Sequence, residues 1–314
     1  MLYKNIIASE INKFKSEYVM INNCDFLKCE YKKVEGNKKC IVWIPGRNDY
    51  FFHYHITNCL IGYDIYALML RNSHNKRNDV FHHIDEITDY FCEIDVLYEY
   101  YNLNNYDEII LYGHSTGGLI CILYENYNKK NKISKLVLNS PFLKFTRHWY
   151  EDLFLNYIGW YFFDYAPNIN ISFDVFKPNY YTLKMGESYF IDHKYKTLRN
   201  SPVISSWLIN IMKHQNKIKN NEIKVSVPTV IYFCDKNSKF LNDYGDSVLD
   251  MDQNIKMVTN LFDNKNLATL HIIKDSIHDI FCSKGDLDDN NDTLGYVIST
   301  LKLFLDIEQI EILK

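Results

Sequence analysis

Residues Asp107–Gly118 read DEIILYGHSTGG: an apolar run, then a serine framed by glycines. The run Asp107–Tyr112 has the length and apolar content of a buried strand. From Thr116 to Tyr127 the apolar residues recur at helical spacing. Between the two, Gly113-His114-Ser115-Thr116-Gly117 fits G-x-S-x-G, a strand–turn–helix elbow whose strained serine projects its hydroxyl from the sheet's carboxyl edge. Glycines beside it let strand and helix approach, and the helix N-terminus favours developing negative charge. Ser115 is the candidate nucleophile; the plainer alternative is a tight turn that a small serine merely fits.

Outward from this elbow, short apolar runs alternate with amphipathic stretches. Cys40–Ile44 is a strand ended by Pro45-Gly46, Tyr63–Leu70 is another, and Phe52–Leu60 between them reads as a helix. Residues Asp85–Tyr101 carry apolar side chains at spacings that fit a helix, and Lys135–Leu138 is a further strand. After a break, within which Ser206–Lys217 reads as a helix, the alternation resumes with a strand at Val227–Phe233 and a helix near Asp252–Phe262. A strand at Ala268–Ile273 and a helix at Thr293–Ile307 end it. Such an order implies an α/β fold with a mostly parallel sheet and helices on both faces. The break lies between Lys144 and Lys224 and includes the densely aromatic Trp149–Tyr165. One domain in two parts, 1–143 and 225–314, interrupted by a helical cap at 144–224, is the expected organisation. The aromatic run would pack that cap onto the main domain, line an acyl pocket or make transient contact with a membrane surface.

Composition narrows the classes. With 314 residues, 47% of them hydrophobic, the chain has ample material for a core, which excludes intrinsic disorder. A formal charge of −4 argues against a nucleic-acid partner. The eight cysteines form no C-x-x-C pair and sit in apolar segments, as buried thiols in a reducing compartment do. Residues 1–20 lack the apolar stretch of a secretory signal, and no run approaches the roughly 18–20 apolar residues of a membrane span. A cytoplasmic location is expected. Oligomeric state cannot be read from these features.

A serine hydroxyl needs a base, and in the order that accompanies this elbow the histidine comes last. His278 stands in the loop after the last apolar strand, where it can reach the edge that presents Ser115. His271 lies inside a strand, and His114 flanks the serine in a structural position. The acid that orients the base belongs after the strand Val227–Phe233. Asp235 is nearest to the strand end; Asp250 or Asp252 suits the cap of the next helix, which leaves Asp246 free. Residue chemistry alone divides the role evenly between Asp246 and Asp235. An oxyanion hole needs two backbone N–H groups, for which Thr116 and Arg47, in the turn after Cys40–Ile44, are the candidates. The acidic stretch Asp286–Asp292 lacks the glycine and glutamate of a calcium loop, His82–His83 has no metal-ligand partner, and no phosphate-binding glycine loop exists. No metal and no cofactor are expected.

These pieces resemble the α/β-hydrolase superfamily, in its lysophospholipase, monoacylglycerol-lipase and serine-aminopeptidase-like branch. The matching segments are Ile44–Phe52, Gly113–Gly118, Asn139–Phe142 and Ile277–Asp279, in the family's order. Asp246-Ser247-Val248-Leu249-Asp250 is similar to the segment that the family's acid opens, so the resemblance tips that role to Asp246. It also implies a cap between the sixth and seventh strands. Two features depart from the pattern: Pro45-Gly46 stands where many members have His-Gly, and the segment from Asp235 to Asp246 is long. The implied activity is hydrolysis of a carboxylic ester with an apolar acyl group, of monoacylglycerol or lysophospholipid type. An acyltransferase or peptidase using the same residues, or a non-catalytic ligand-binding or interaction protein, is the alternative.

Overall fold

The computed structural model describes residues 10–21, 25–71, 84, 86–144, 169–170, 182, 185, 189, 191–193, 195–196, 198, 202–238, 245–246, 248–284, 289 and 292–306. Its centre is a parallel set of strands: β3 (Lys39–Ile44), β4 (Tyr63–Met69), β5 (Glu108–His114), β6 (Lys135–Asn139), β7 (Thr229–Cys234) and β8 (Ala268–Ile273). Two earlier strands, β1 (Lys15–Ile21) and β2 (Asp25–Lys32), pair antiparallel, and β2 continues antiparallel onto β4. Among the described residues these make one eight-stranded sheet in the order β1-β2-β4-β3-β5-β6-β7-β8.

Strands β4 and β7 are buried at every residue, and β3, β5 and β6 at all but their first, which requires cover on both faces. The helices supply it in two groups. Helices α1 (Phe91–Tyr100), α2 (Thr116–Tyr127), α3 (Ser205–Lys219) and α4 (Met251–Leu261) are linked through mutual contacts and the 3-10 turn Ile87–Tyr90. Helix α5 (Thr293–Phe304) packs instead on the 3-10 turns Tyr54–Cys59 and Ile280–Cys282.

Differences from the sequence reading have local causes. The helix expected over Phe52–Leu60 is a 3-10 turn, Tyr54–Cys59, whose first bond, from Ile56 N–H to the His53 carbonyl at 3.1 Å, already closes over three residues. The helix expected over Asp85–Tyr101 begins as a 3-10 turn sealed by reciprocal bonds between Glu86 and Asp89, then continues as α1. The hairpin β1–β2 has no counterpart in the apolar pattern, because Lys15, Glu17, Lys28 and Glu30 interrupt it. Three of those charges have partners: the Glu17 carboxylate accepts from Tyr31 Oη and Tyr101 Oη, both at 2.9 Å, and Lys28 from 2.9 Å donates to Glu30. Within the expected cap, α3 places Trp207, Leu208, Ile211 and Met212 in the main core, while Trp149–Tyr165 lies outside the described residues. The seven described cysteines are free thiols, six of them buried.

Where β5 passes into α2 the backbone leaves no room for side chains. A Cβ on Gly117 would lie 2.2 Å from the Ile44 carbonyl oxygen, and one on Gly113 would lie 2.5 Å from that of Gly117. Gly117→Ala should therefore destabilise the protein by about 1–3 kcal/mol, as overpacking does, read as a lower urea midpoint. An unchanged midpoint would mean that the junction has slack.

His55 joins the two turns beneath α5: its Nε2 lies 2.7 Å from the Phe281 carbonyl oxygen. Burial, with the neighbouring His53, pushes its pKa down to about 4. Since the unfolded chain takes up this proton first, the contribution of His55 is complete above about pH 6.5 and drains away toward pH 4. The loss across that window is on the order of 3 kcal/mol. Melting temperatures of the wild type should fall between pH 6.5 and 4, and His55→Gln, which does not titrate, should show a flatter profile. Parallel profiles would assign the loss to other groups.

Candidate active site

The candidate residues gather at the carboxyl ends of β3, β5, β6, β7 and β8. In the register, Ile44 faces Gly113, His114 faces Asn139 and Asn139 faces Tyr232, so these ends are level. Ser115 follows β5 with φ 53° and ψ −118°, a conformation that costs a non-glycine residue about 1–3 kcal/mol. Surrounding bonds impose it. The Ser115 N–H donates to the Asn139 carbonyl at 2.9 Å, and the Ser115 carbonyl accepts from the N–H groups of Gly118 at 3.0 Å and Phe142 at 2.9 Å.

His278 lies in the loop after β8 with Nε2 3.0 Å from Ser115 Oγ and Nδ1 2.6 Å from Asp246 Oδ2. An ionised Asp246 only accepts, so Nδ1 carries the proton and Nε2 is left to accept from the serine hydroxyl. Asp246 is fully buried, and its Oδ1 accepts from the N–H groups of Val248 at 2.7 Å and Leu249 at 2.8 Å. Its place follows from an excursion of the chain that returns to β7's end. Asn237 bridges to Asp246, Gly245 bridges to Ile277, and the Asp246 N–H donates to the Lys236 carbonyl at 2.9 Å. Asp235 is exposed at the strand end and does not join this line, while Asp250 caps α4 by accepting from Gln253 N–H at 3.1 Å.

The turn after β3 abuts the elbow: a Cβ on Gly46 would lie 3.1 Å from Ser115 Cβ. Thr116 opens α2, where a helix offers its first N–H groups no internal acceptor. The Arg47 side chain turns away from Ser115, donating to the Pro202 carbonyl and lying 5.0 Å from the Trp207 ring. Burial pulls its pKa down to about 10.

Beside this line is a second network that the sequence reading leaves out, except for the structural role it gives His114. His114 Nδ1 lies 2.8 Å from Asp49 Oδ2, and Lys196 donates to Asp49 Oδ1 at 2.7 Å. His53 Nε2 lies 2.7 Å from Asp279 Oδ2, and Asn139 donates to Asp279 Oδ1 at 2.7 Å. The signal available was adjacency: Asp279 follows His278, and Asp49 closes the turn after β3. Burial opposes charge on both carboxylates. It is outweighed at Asp49 by Lys196 and His114, and at Asp279 by His53 and His114, so both stay ionised far below the usual range. Burial likewise opposes charge on His114, but Asp279 and Asp49 raise its pKa. Among the described residues, His53, Asp279 and Cys282, and Asp49, His114 and Asp279, have donor atoms within 4.8 Å, the spacing of a metal site. Their four carboxylate oxygens, however, all face hydrogen-bond donors, and one of these is an ammonium. His82–His83 and Asp286–Asp288 lie outside the described residues.

Solved structures share this architecture. A soluble variant of monoglyceride lipase from Saccharomyces cerevisiae superposes with a TM-score of 0.65 at 16% identity, over 93% of this chain and 95% of that one. A monoacylglycerol lipase from Paleococcus ferrophilus gives 0.61 at 16% identity, over 88% and 99%. A thermostable carboxyl esterase from Bacillus coagulans gives 0.60 at 13%, over 93% and 99%. At such identities the likeness is one of fold. No curated protein sequence matches this one. Residues 38–284 match the family model described as serine aminopeptidase, S33, a span that holds Ser115, His278 and Asp246. The chain is a serine hydrolase with the α/β-hydrolase fold, and it belongs to the S33 serine aminopeptidase family.

Proposed function

We propose that the protein hydrolyses carboxylic esters of apolar acyl groups, of monoacylglycerol or lysophospholipid type, through Ser115, His278 and Asp246. The observation that carries this reading is the unbroken line from Ser115 Oγ to His278 Nε2 at 3.0 Å and from His278 Nδ1 to Asp246 at 2.6 Å. In the reaction, Oγ attacks the ester carbonyl as His278 takes its proton, and Asp246 stabilises the imidazolium. The Arg47 and Thr116 N–H groups hold the oxyanion. Collapse expels the alcohol, which leaves with the proton from His278. Water, deprotonated in turn by His278, then releases the acid and restores Ser115. An apolar acyl group is supported by the small cluster that packs Tyr50, Phe52, Met185, Tyr189 and Ile191 against Ile277, the residue before the base. The cap at 144–224 would enclose that group. Monoglyceride lipases of the same fold support the substrate class, while the family's description supports a peptidase as the second reading.

No helix among the described residues is long and apolar enough to cross a membrane. The free thiols support a reducing, cytoplasmic setting. A small-molecule ester is the partner proposed.

A p-nitrophenyl ester series from acetate to palmitate tests the reading. Wild type should turn over medium or long chains, and Ser115→Ala and His278→Ala should each lose about 10⁴-fold or more in kcat. Asp246→Asn should cost at least about 10³-fold, Asp235→Asn less than threefold. Cleavage of aminoacyl p-nitroanilides in preference to every ester would transfer the site to peptide chemistry.

A further inference from the structure

The turn that presents Arg47 is anchored chiefly from outside the sheet. The Arg47 guanidinium reaches Pro202 and Trp207, the Tyr50 hydroxyl accepts from Asp192 N–H at 2.6 Å, and Asp49 accepts from Lys196; all these partners lie in the expected cap. The turn needs such anchors. Asn48 sits at φ 55°, a conformation that persists only where its surroundings over-determine it. Among the anchors Lys196 has a particular position. Asp49 is 1% exposed, and its carboxylate meets Lys196 on one oxygen and His114, the residue before Ser115, on the other. The Lys196 ammonium also lies 5.2 Å from the Phe52 ring, so the strand-end turn holds it from two sides.

We propose that Lys196 is a positioning residue for the oxyanion turn: it fixes the Asp49 carboxylate against His114, and so sets where the Arg47 N–H faces Ser115 Oγ. The chain of contact runs from the cap through Lys196 and Asp49 to both halves of the machinery, the turn and the elbow. An oxyanion donor must lie within about 3 Å of an oxygen that exists only in the transition state. A turn that shifts by less than an ångström therefore keeps its affinity for the ester and loses rate. This inference rests on Ser115 being the nucleophile.

The experiment compares wild type, Ser115→Ala, Lys196→Met and Lys196→Arg in three measurements: labelling by a fluorophosphonate, kcat and KM on the best p-nitrophenyl ester, and inhibition by an alkyl boronic acid, which engages both the serine and the oxyanion donors. Lys196→Met should lower kcat by about 10–100-fold, leave KM within threefold and weaken the boronic acid in proportion to kcat. Lys196→Arg, which retains the cation, should recover part of each loss. A folded Lys196→Met with wild-type kcat, or one whose KM alone changes, would overturn the proposal. Lys196→Met leaves Asp49 buried without its cation, so Asp49→Asn/Lys196→Met, with no lone charge, is measured alongside. If only this double variant folds, its kcat must still fall at least tenfold; failure of both to fold would assign Lys196 to stability and overturn the proposal as well. An unlabelled wild type would overturn the underlying reading together with this one. Labelling that Ser115→Ala abolishes, beside an unaffected Lys196→Met, would overturn this one alone.

Discussion

Helix α2 begins so close to the end of β3 that the Gly117 Cα faces the carbonyl oxygens of Ile44 and Pro45 with no space between for a methyl group. That single close approach fixes three things together. It helps hold Ser115 at φ 53°, brings the turn after β3 against that serine, and starts α2 directly after it. Parallel strands in register then make the ends of β6 and β7 available as a rim, onto which the later loops deliver His278 and Asp246. The strain at Ser115 is tolerable because β6 and the loop after it bond the serine's own peptide groups on both sides.

Around this junction the protein buries an unusual amount of charge. Asp49, Asp246 and Asp279 are all 1% exposed or less, yet each carboxylate oxygen has a donor. Isolated, such groups would be prohibitively costly to desolvate; paired, they specify one arrangement of the loops that carry them. Asn139 illustrates the economy of the arrangement. Its side-chain amide donates to both Asp279 and Tyr112, while its oxygen accepts the Ile280 N–H at 3.1 Å, so one β6 residue ties β5 to the loop that bears His278.

Much of this was legible in the sequence, for physical reasons. Strands buried along nearly their whole length have no polar face to confuse them with helices, so β3 through β7 stand out as apolar runs, and the G-x-S-x-G spacing is a backbone requirement written in residue types. The hairpin β1–β2 was not legible, because its charges find partners only once Tyr31, Tyr101 and Tyr54 are folded around them. Nor could residue chemistry separate Asp246 from Asp235. Proximity to the strand end favours Asp235, but the returning excursion places Asp246 beside Asn237, where distance along the chain no longer measures distance in space. The network of Asp49, His53, Asp279 and Lys196 is assembled from three separated segments, and beyond the adjacency of Asp279 to His278 and of Asp49 to the turn after β3 nothing local marks its members.

The free thiols have a practical meaning. Burial pushes the Cys29, Cys40, Cys121 and Cys234 thiols far above their ordinary range, so at neutral pH the folded chain offers almost no thiolate at these positions. Cys92, half-buried against Arg71, is the most accessible of the described set. Alkylation at the other positions must wait for the chain to open. Because they are spread over β2, β3, α2 and β7, the cysteines form a built-in set of reporters. The order in which they become reactive would map which strands of the sheet part first.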